Sequence, residues 1–252
     1  MTIDELYKKL DNDLSWRKTE ISRLYSMLQN NENSEALLKS MILMLYAHWE
    51  GYIKNIAKLY LQYVSNKKIT HNNLLNNFIC ISTKNLVKYI LPSSEILSIK
   101  NELNFCDHFK TKQESNFHFD IKKSGSIDKS IINTKDNLNY KVYKNILTVI
   151  GVNCYEGFEL REQYINKFLS TRNSISHGDK IHPSNSKVIE LSITTVTDIK
   201  NFILEIMSTT QDTIKEYAQS EFYLAKNLQN KASYDTKNNE AIAKFIESTN
   251  DL

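Results

Sequence analysis

The segment Arg172-Asn173-Ser174-Ile175-Ser176-His177-Gly178 carries a guanidinium, a carboxamide and an imidazole in one short stretch. A planar guanidinium fork matches phosphate oxygens and developing negative charge. An imidazole accepts and returns a proton near neutral pH. Arg172 stands in an unusual place. Ile165, Phe168, Leu169 and Ile175 fall at i, i+3, i+4 and i+10 of one helical face, and Arg172 lies inside that stripe at i+7. A guanidinium there keeps its charge, so it must be paired or solvated. His177 follows five residues on, a rotation of about 140° on a regular helix, so the two side chains do not share a face. Asn173 and His177 are i, i+4 neighbours, a spacing that would let Asn173 orient the imidazole. Spacing alone favours a plainer reading, with a histidine drawn to the helix C-terminus by the dipole and an arginine capping carbonyls.

A second constellation lies in His48-Trp49-Glu50-Gly51-Tyr52-Ile53-Lys54. Glu50 and Lys54 have the spacing of an ordinary helix-surface pair, worth about 0.3–0.5 kcal/mol when exposed. His48 reads first as a core histidine satisfied by a neighbour. Cys106, His108 and His118 lack both a standard ligand spacing and a fourth ligand, so no metal site is expected. Neither a phosphate-binding loop of the Walker type nor a Gly-rich dinucleotide fingerprint occurs, which leaves NTP hydrolysis unsupported and no cofactor expected. His182-Pro183 reads as an ordinary loop.

The elements that must position these residues are helices. The 252-residue chain has only five Gly and two Pro, and apolar residues recur at helical spacing through most of its length. A first helix is predicted over Ile3–Leu28. A second runs from about Ser34 to Val64, with the stripe Leu38, Met41, Ile42, Leu45, Trp49, Tyr52, Ile53, Ile56, Tyr60 and Tyr63 and a second flank at Leu43 and Ala47. Apolar residues on more than one side mark it as central. Thr70 would cap a third helix reaching Ile90, stopped by Pro92, and a fourth would cover Ser94–Phe105. Residues from about 106 to 136 read as an irregular insertion, with a hairpin around Phe117, Phe119, Ile121 and Ser124-Gly125-Ser126. Helices resume over Leu138–Gly151, Phe158–Ser176 (ended by Gly178) and Thr197–Leu224. Val188–Val196 is either a short strand or the start of that last helix. The expectation is an all-α bundle over residues 1–227, followed by a polar tail, 228–252, with one short helix at Glu240–Ile246.

Composition sets further bounds. The net charge of +3 permits a nucleic-acid partner without arguing for one. Three scattered cysteines, an acidic start without an apolar run, and no apolar stretch long enough for a bilayer predict a soluble, cytoplasmic chain without a signal peptide and without membrane contact.

Arg-Asn-x-x-x-His-Gly at the end of a helix resembles the Rx4-6H signature of the HEPN superfamily. Trp49-Glu50-Gly51-Tyr52-Ile53-Lys54 is similar to the Glu-x3-Lys element that accompanies it, and the two strings together resemble the MAE-like branch. Asp136–Gly151 is similar to the segment that precedes the Arg/His helix in that branch. The resemblance spans about residues 34–217. It implies a metal-independent endoribonuclease acting as a symmetric homodimer, with a composite site where two Arg/His helices meet. His177 would then be the general acid/base and Arg172 the phosphate clamp. Asn173 would fix the imidazole or bind the scissile phosphate, and Lys54 would stand near a phosphate with Glu50 positioning Lys54 or Arg172. His48 would line the same groove. A toxin or antiviral effector acting on tRNA or mRNA is the implied role, with an antitoxin or defence-system protein as a partner. The alternative is a helical module that binds RNA or scaffolds without cutting. HEPN toxins controlled by a nucleotidyltransferase carry Tyr two residues after the histidine, where this chain has Asp179.

Overall fold

The longest element governs how the others are placed. In the computed structural model, which describes residues 1–87, 99–119, 131–134, 136–180 and 186–248, α2 (Glu35–Asn66) is a 32-residue helix, about 48 Å long. The Ser34 hydroxyl caps it by accepting from the Leu37 amide. All ten residues of the expected apolar stripe are buried. The second flank is not Leu43 and Ala47, which are half-buried and exposed, but Tyr46, Glu50, Ala57, Leu61 and Val64. A helix buried on this many sides must sit inside the bundle.

The neighbours of α2 are α1 (Ile3–Gln29), α5 (Tyr140–Ile150), α7 (Glu162–Ser176) and α8 (Ile193–Gln219). α3 (Asn76–Val87) packs against α5 and α4 (Lys100–Glu114). The fold is all-α, and the described residues contain only isolated β-bridges.

Several boundaries differ from the periodicity. Thr70 precedes a single 3-10 turn, His71–Asn73, and α3 begins only at Asn76. α4 extends nine residues past Phe105, so the first part of the expected insertion is helical. Beyond it Phe117 and Phe119 are buried with His118 exposed between them, an extended run held by Phe117 N–H to the Ile69 carbonyl at 2.9 Å. Ile121, the Ser124–Ser126 turn, Pro92 and His182-Pro183 lie outside the described residues. Val188–Val196 forms no strand: Ser192 caps α8, which starts at Ile193. The C-terminal segment forms a 21-residue helix, α9 (Leu228–Ser248), instead of one short helix. α9 packs against α6 (Glu156–Glu159), with Asn239 accepting from the Glu156 amide at 3.3 Å, and its Asp235 accepts from the hydroxyl of Tyr217 on α8 at 2.5 Å.

α1 and α2 are locked by a buried ion pair that no apolar stripe announces. Arg17 Nε donates to Asp13 at 3.0 Å, and Asp13 also accepts from Trp16 Nε1 at 2.8 Å and Asn55 at 2.9 Å. Arg17 reaches across to the His48 carbonyl at 3.1 Å. It passes over Gly51, where an added Cβ would stand 3.0 Å from its Nη1. Both charges are thus paired and hydrogen-bonded, which is what burial demands of them. Asp13→Ala, which strands the Arg17 charge, is expected to cost about 3 kcal/mol. Gly51→Ala is expected to destabilise by about 1 kcal/mol although alanine is the better helix former. Urea unfolding checks both, and a gain in stability for Gly51→Ala would contradict the close approach.

Candidate functional site

α7 presents the Arg-Asn-Ser-Ile-Ser-His segment. Ile165 and Phe168 are buried, Leu169 and Ile175 half-buried, and Phe168 packs against Tyr46 and Trp49 of α2 with ring centroids 6.2 Å away in each case. Thr171, fully buried, accepts from the Ile189 amide at 2.8 Å and so ties the returning chain over the helix. The helix ends in a Schellman motif: Gly178 N–H bonds the Ile175 carbonyl at 3.1 Å and Asp179 N–H the Ser174 carbonyl at 2.9 Å. Gly178 sits at φ +76°, the left-handed conformation this motif requires. The terminal glycine of the motif therefore has a backbone reason, and it places His177 at the C-cap.

Arg172 is half-buried inside the stripe, as its spacing predicts. Its guanidinium carbon lies 4.0 Å from the centroid of the Tyr46 ring, and Nη1 donates to Asn173 Oδ1 at 2.7 Å. Asn173 in turn donates from Nδ2 to Asn137 at 3.3 Å. Asn173 therefore holds Arg172 and not the imidazole. His177 is exposed, and no described residue hydrogen-bonds its ring. Because α7 is regular up to its cap, the rotation of about 140° stands, and one protomer does not bring Arg172 and His177 onto one face.

Tyr46, Glu50 and Lys54 follow at i, i+4 and i+8 of α2. Glu50 is buried and accepts from the Thr134 hydroxyl and, at 3.4 Å, from Lys54 Nζ. It is thus more than an exposed surface pair, with Thr134 as its shorter contact. The Tyr46 hydroxyl donates to the Asp136 carbonyl at 3.2 Å and accepts from the Leu138 amide at 2.6 Å. Burial, together with the Glu50 carboxylate nearby, pushes the Tyr46 phenol well above its usual pKa, so it stays neutral. Glu50 thus holds Thr134 and Tyr46 holds Asp136 and Leu138, and Arg172 rests on the Tyr46 ring.

His48 belongs elsewhere. Its ring faces α1, with Nε2 3.2 Å from Glu20 and the Trp16 ring 5.2 Å away. Two residues, about 200°, separate it from Glu50 on the helix. It does not line the Arg172 groove, so the expected supporting role is corrected to the α1–α2 lock. Spacing did not reveal Tyr46, Thr134, Asn137, Asp13 or Arg17. Tyr46 alone had a usable signal, four residues before Glu50. Cys106, His108 and His118 are all exposed, and among the described residues no group of three or more His, Cys, Asp or Glu is placed to hold a metal ion. No helix among them is long and apolar enough to cross a membrane.

The family model described as MAE_28990-like HEPN matches residues 6–223. That span is most of the chain and includes both motifs; the chain belongs to this HEPN family. No curated protein and no solved structure matches it.

His48 supplies a pH dependence. Burial, and then the Arg17 charge, lower its pKa below the ordinary value, against smaller upward pulls from Glu20 and Asp13. The unfolded chain, with histidine near 6.5, binds that proton more readily. His48 therefore contributes stability that is full above about pH 6.5 and is lost as pH falls through the folded value. The stability difference between wild type and His48→Gln, followed by urea unfolding from pH 8 to 5, should shrink as pH falls. A difference that grows with acidification would contradict the assignment.

Proposed function

We propose that the chain is a metal-independent endoribonuclease whose reacting groups are Arg172 and His177, brought together in a homodimer. The observation that carries this reading is how Arg172 is held. Its partners are a neutral ring and a neutral amide, and among the described residues no ion pair compensates it. A guanidinium on a carboxylate would be neutralised in advance, whereas this one keeps its charge for a phosphate.

Cleavage without metal uses the adjacent 2′-hydroxyl as nucleophile, and needs a proton acceptor, a proton donor and stabilisation of the phosphorane charge. His177 serves as acid and base, and Arg172 as the anion clamp. Asn173 fixes the guanidinium. Lys54, held by Glu50, provides a second cation for the RNA backbone. An isologous contact would set the Arg172 face of one protomer against the His177 end of the other, which answers their separation on one helix. Action on cellular tRNA or mRNA as a toxin or defence effector in the cytoplasm, restrained by a partner protein, is the biological setting this reading favours.

A second reading has its own observation. The His177 ring has no described residue to orient it, which also suits a module that binds RNA without cutting. Incubation of the purified protein with total RNA in EDTA, followed by sequencing of new ends, separates the two. The expected result is cleavage leaving 2′,3′-cyclic phosphate, abolished by Arg172→Ala or His177→Ala with folding intact. Cleavage that needs magnesium, or variants as active as wild type, would refute the assignment.

A further inference from the structure

The Tyr46 ring beneath Arg172 is 1% exposed. It is held by ring contacts and through its hydroxyl. Trp49 and Phe168 pack against it at centroid distances of 6.3 and 6.2 Å. Its hydroxyl is held by the Asp136 carbonyl and the Leu138 amide. Phe168 lies four residues before Arg172, so the pair that docks α7 on α2 also sets the height of the guanidinium above the ring. Asn137, between the two backbone groups that hold the hydroxyl, accepts from Asn173, which holds the other side of Arg172. The cradle is therefore closed: ring below, amide beside, and one backbone segment joining them.

We propose that Tyr46 is a positioning residue that fixes the plane of the Arg172 guanidinium, so that its free edge meets a substrate phosphate with little reorganisation. The inference rests on the function proposed above. A stacked cation is oriented by the ring quadrupole without being neutralised, and a clamp fixed beforehand acts without reorganising at the moment of reaction. Phenylalanine at 46 would keep the platform and release the 136–138 segment. Leucine would remove both.

The test uses the full chain labelled for arginine Nε–Hε NMR, with cleavage rates measured in parallel. In wild type the Arg172 signal should be ring-current shifted and ordered; an unshifted, mobile signal overturns the proposal even if Tyr46→Leu does not fold. Tyr46→Phe should retain the shift and Tyr46→Leu should lose it. Tyr46→Leu should lower kcat about tenfold or more, with KM moved less than kcat, and Tyr46→Phe should lower it less. An Arg172 signal unchanged in Tyr46→Leu would overturn the role. If wild type cuts no RNA, the nuclease reading fails separately, and the arginine signal still decides whether Tyr46 sets Arg172.

Discussion

The contact of Arg172 with the face of Tyr46 is where the packing of α7 on α2 meets a half-buried cation. A guanidinium cannot shed its proton to suit an apolar surface. The seam between the helices must therefore supply a surface that is apolar in packing and negative in electrostatics, which is what an aromatic face offers. Tyr46 does this while its hydroxyl reaches the 136–138 segment, and Phe168 and Trp49 fill the space on either side. Removing the cation would leave an ordinary helix seam, and removing the ring would leave a charge without a seat.

The string around Glu50 works on two sides at once. Tyr46 and Glu50 face Thr134, Asp136 and Leu138, with Lys54 on the Glu50 carboxylate, whereas His48, Gly51 and Asn55 face α1. This division explains why the motif is dense. Glu50 holds Thr134 and Lys54, and Gly51 keeps space for Arg17. Gly178 likewise serves the chain end of α7 through its left-handed backbone. Of the two motif glycines, one makes room for a side chain and the other turns the backbone.

Helices with strong periodicity were legible. The α2 stripe and the position of Arg172 within the α7 stripe both follow from spacing, because a 3.6-residue period is a physical consequence of burying one face. Polar contacts were not. Thr134 and Asn137 lie in a stretch without period, and nothing local marks them as partners of Glu50 and Asn173. Asp13 and Arg17 look like a solvated surface pair until Asn55 and Gly51 close over them. α9 is longer than the expected short helix for a related reason. It is held by scattered contacts such as Tyr217 with Asp235, so its sequence reads as a polar tail. His48 is chemically suggestive, yet its buried ring meets Glu20 and Trp16 of α1, in keeping with its reading as a core histidine satisfied by a neighbour.

The proposed site needs more than one copy of the chain, because Arg172 and His177 leave α7 in different directions. Subunit mixing tests this most directly. Arg172→Ala and His177→Ala, each inactive alone, are unfolded together, refolded as a mixture and assayed for RNA cleavage. If each site takes its arginine from one protomer and its histidine from the other, half the dimers regain one of two sites, and activity returns to about a quarter of wild type. A mixture as inactive as its components would contradict the composite site.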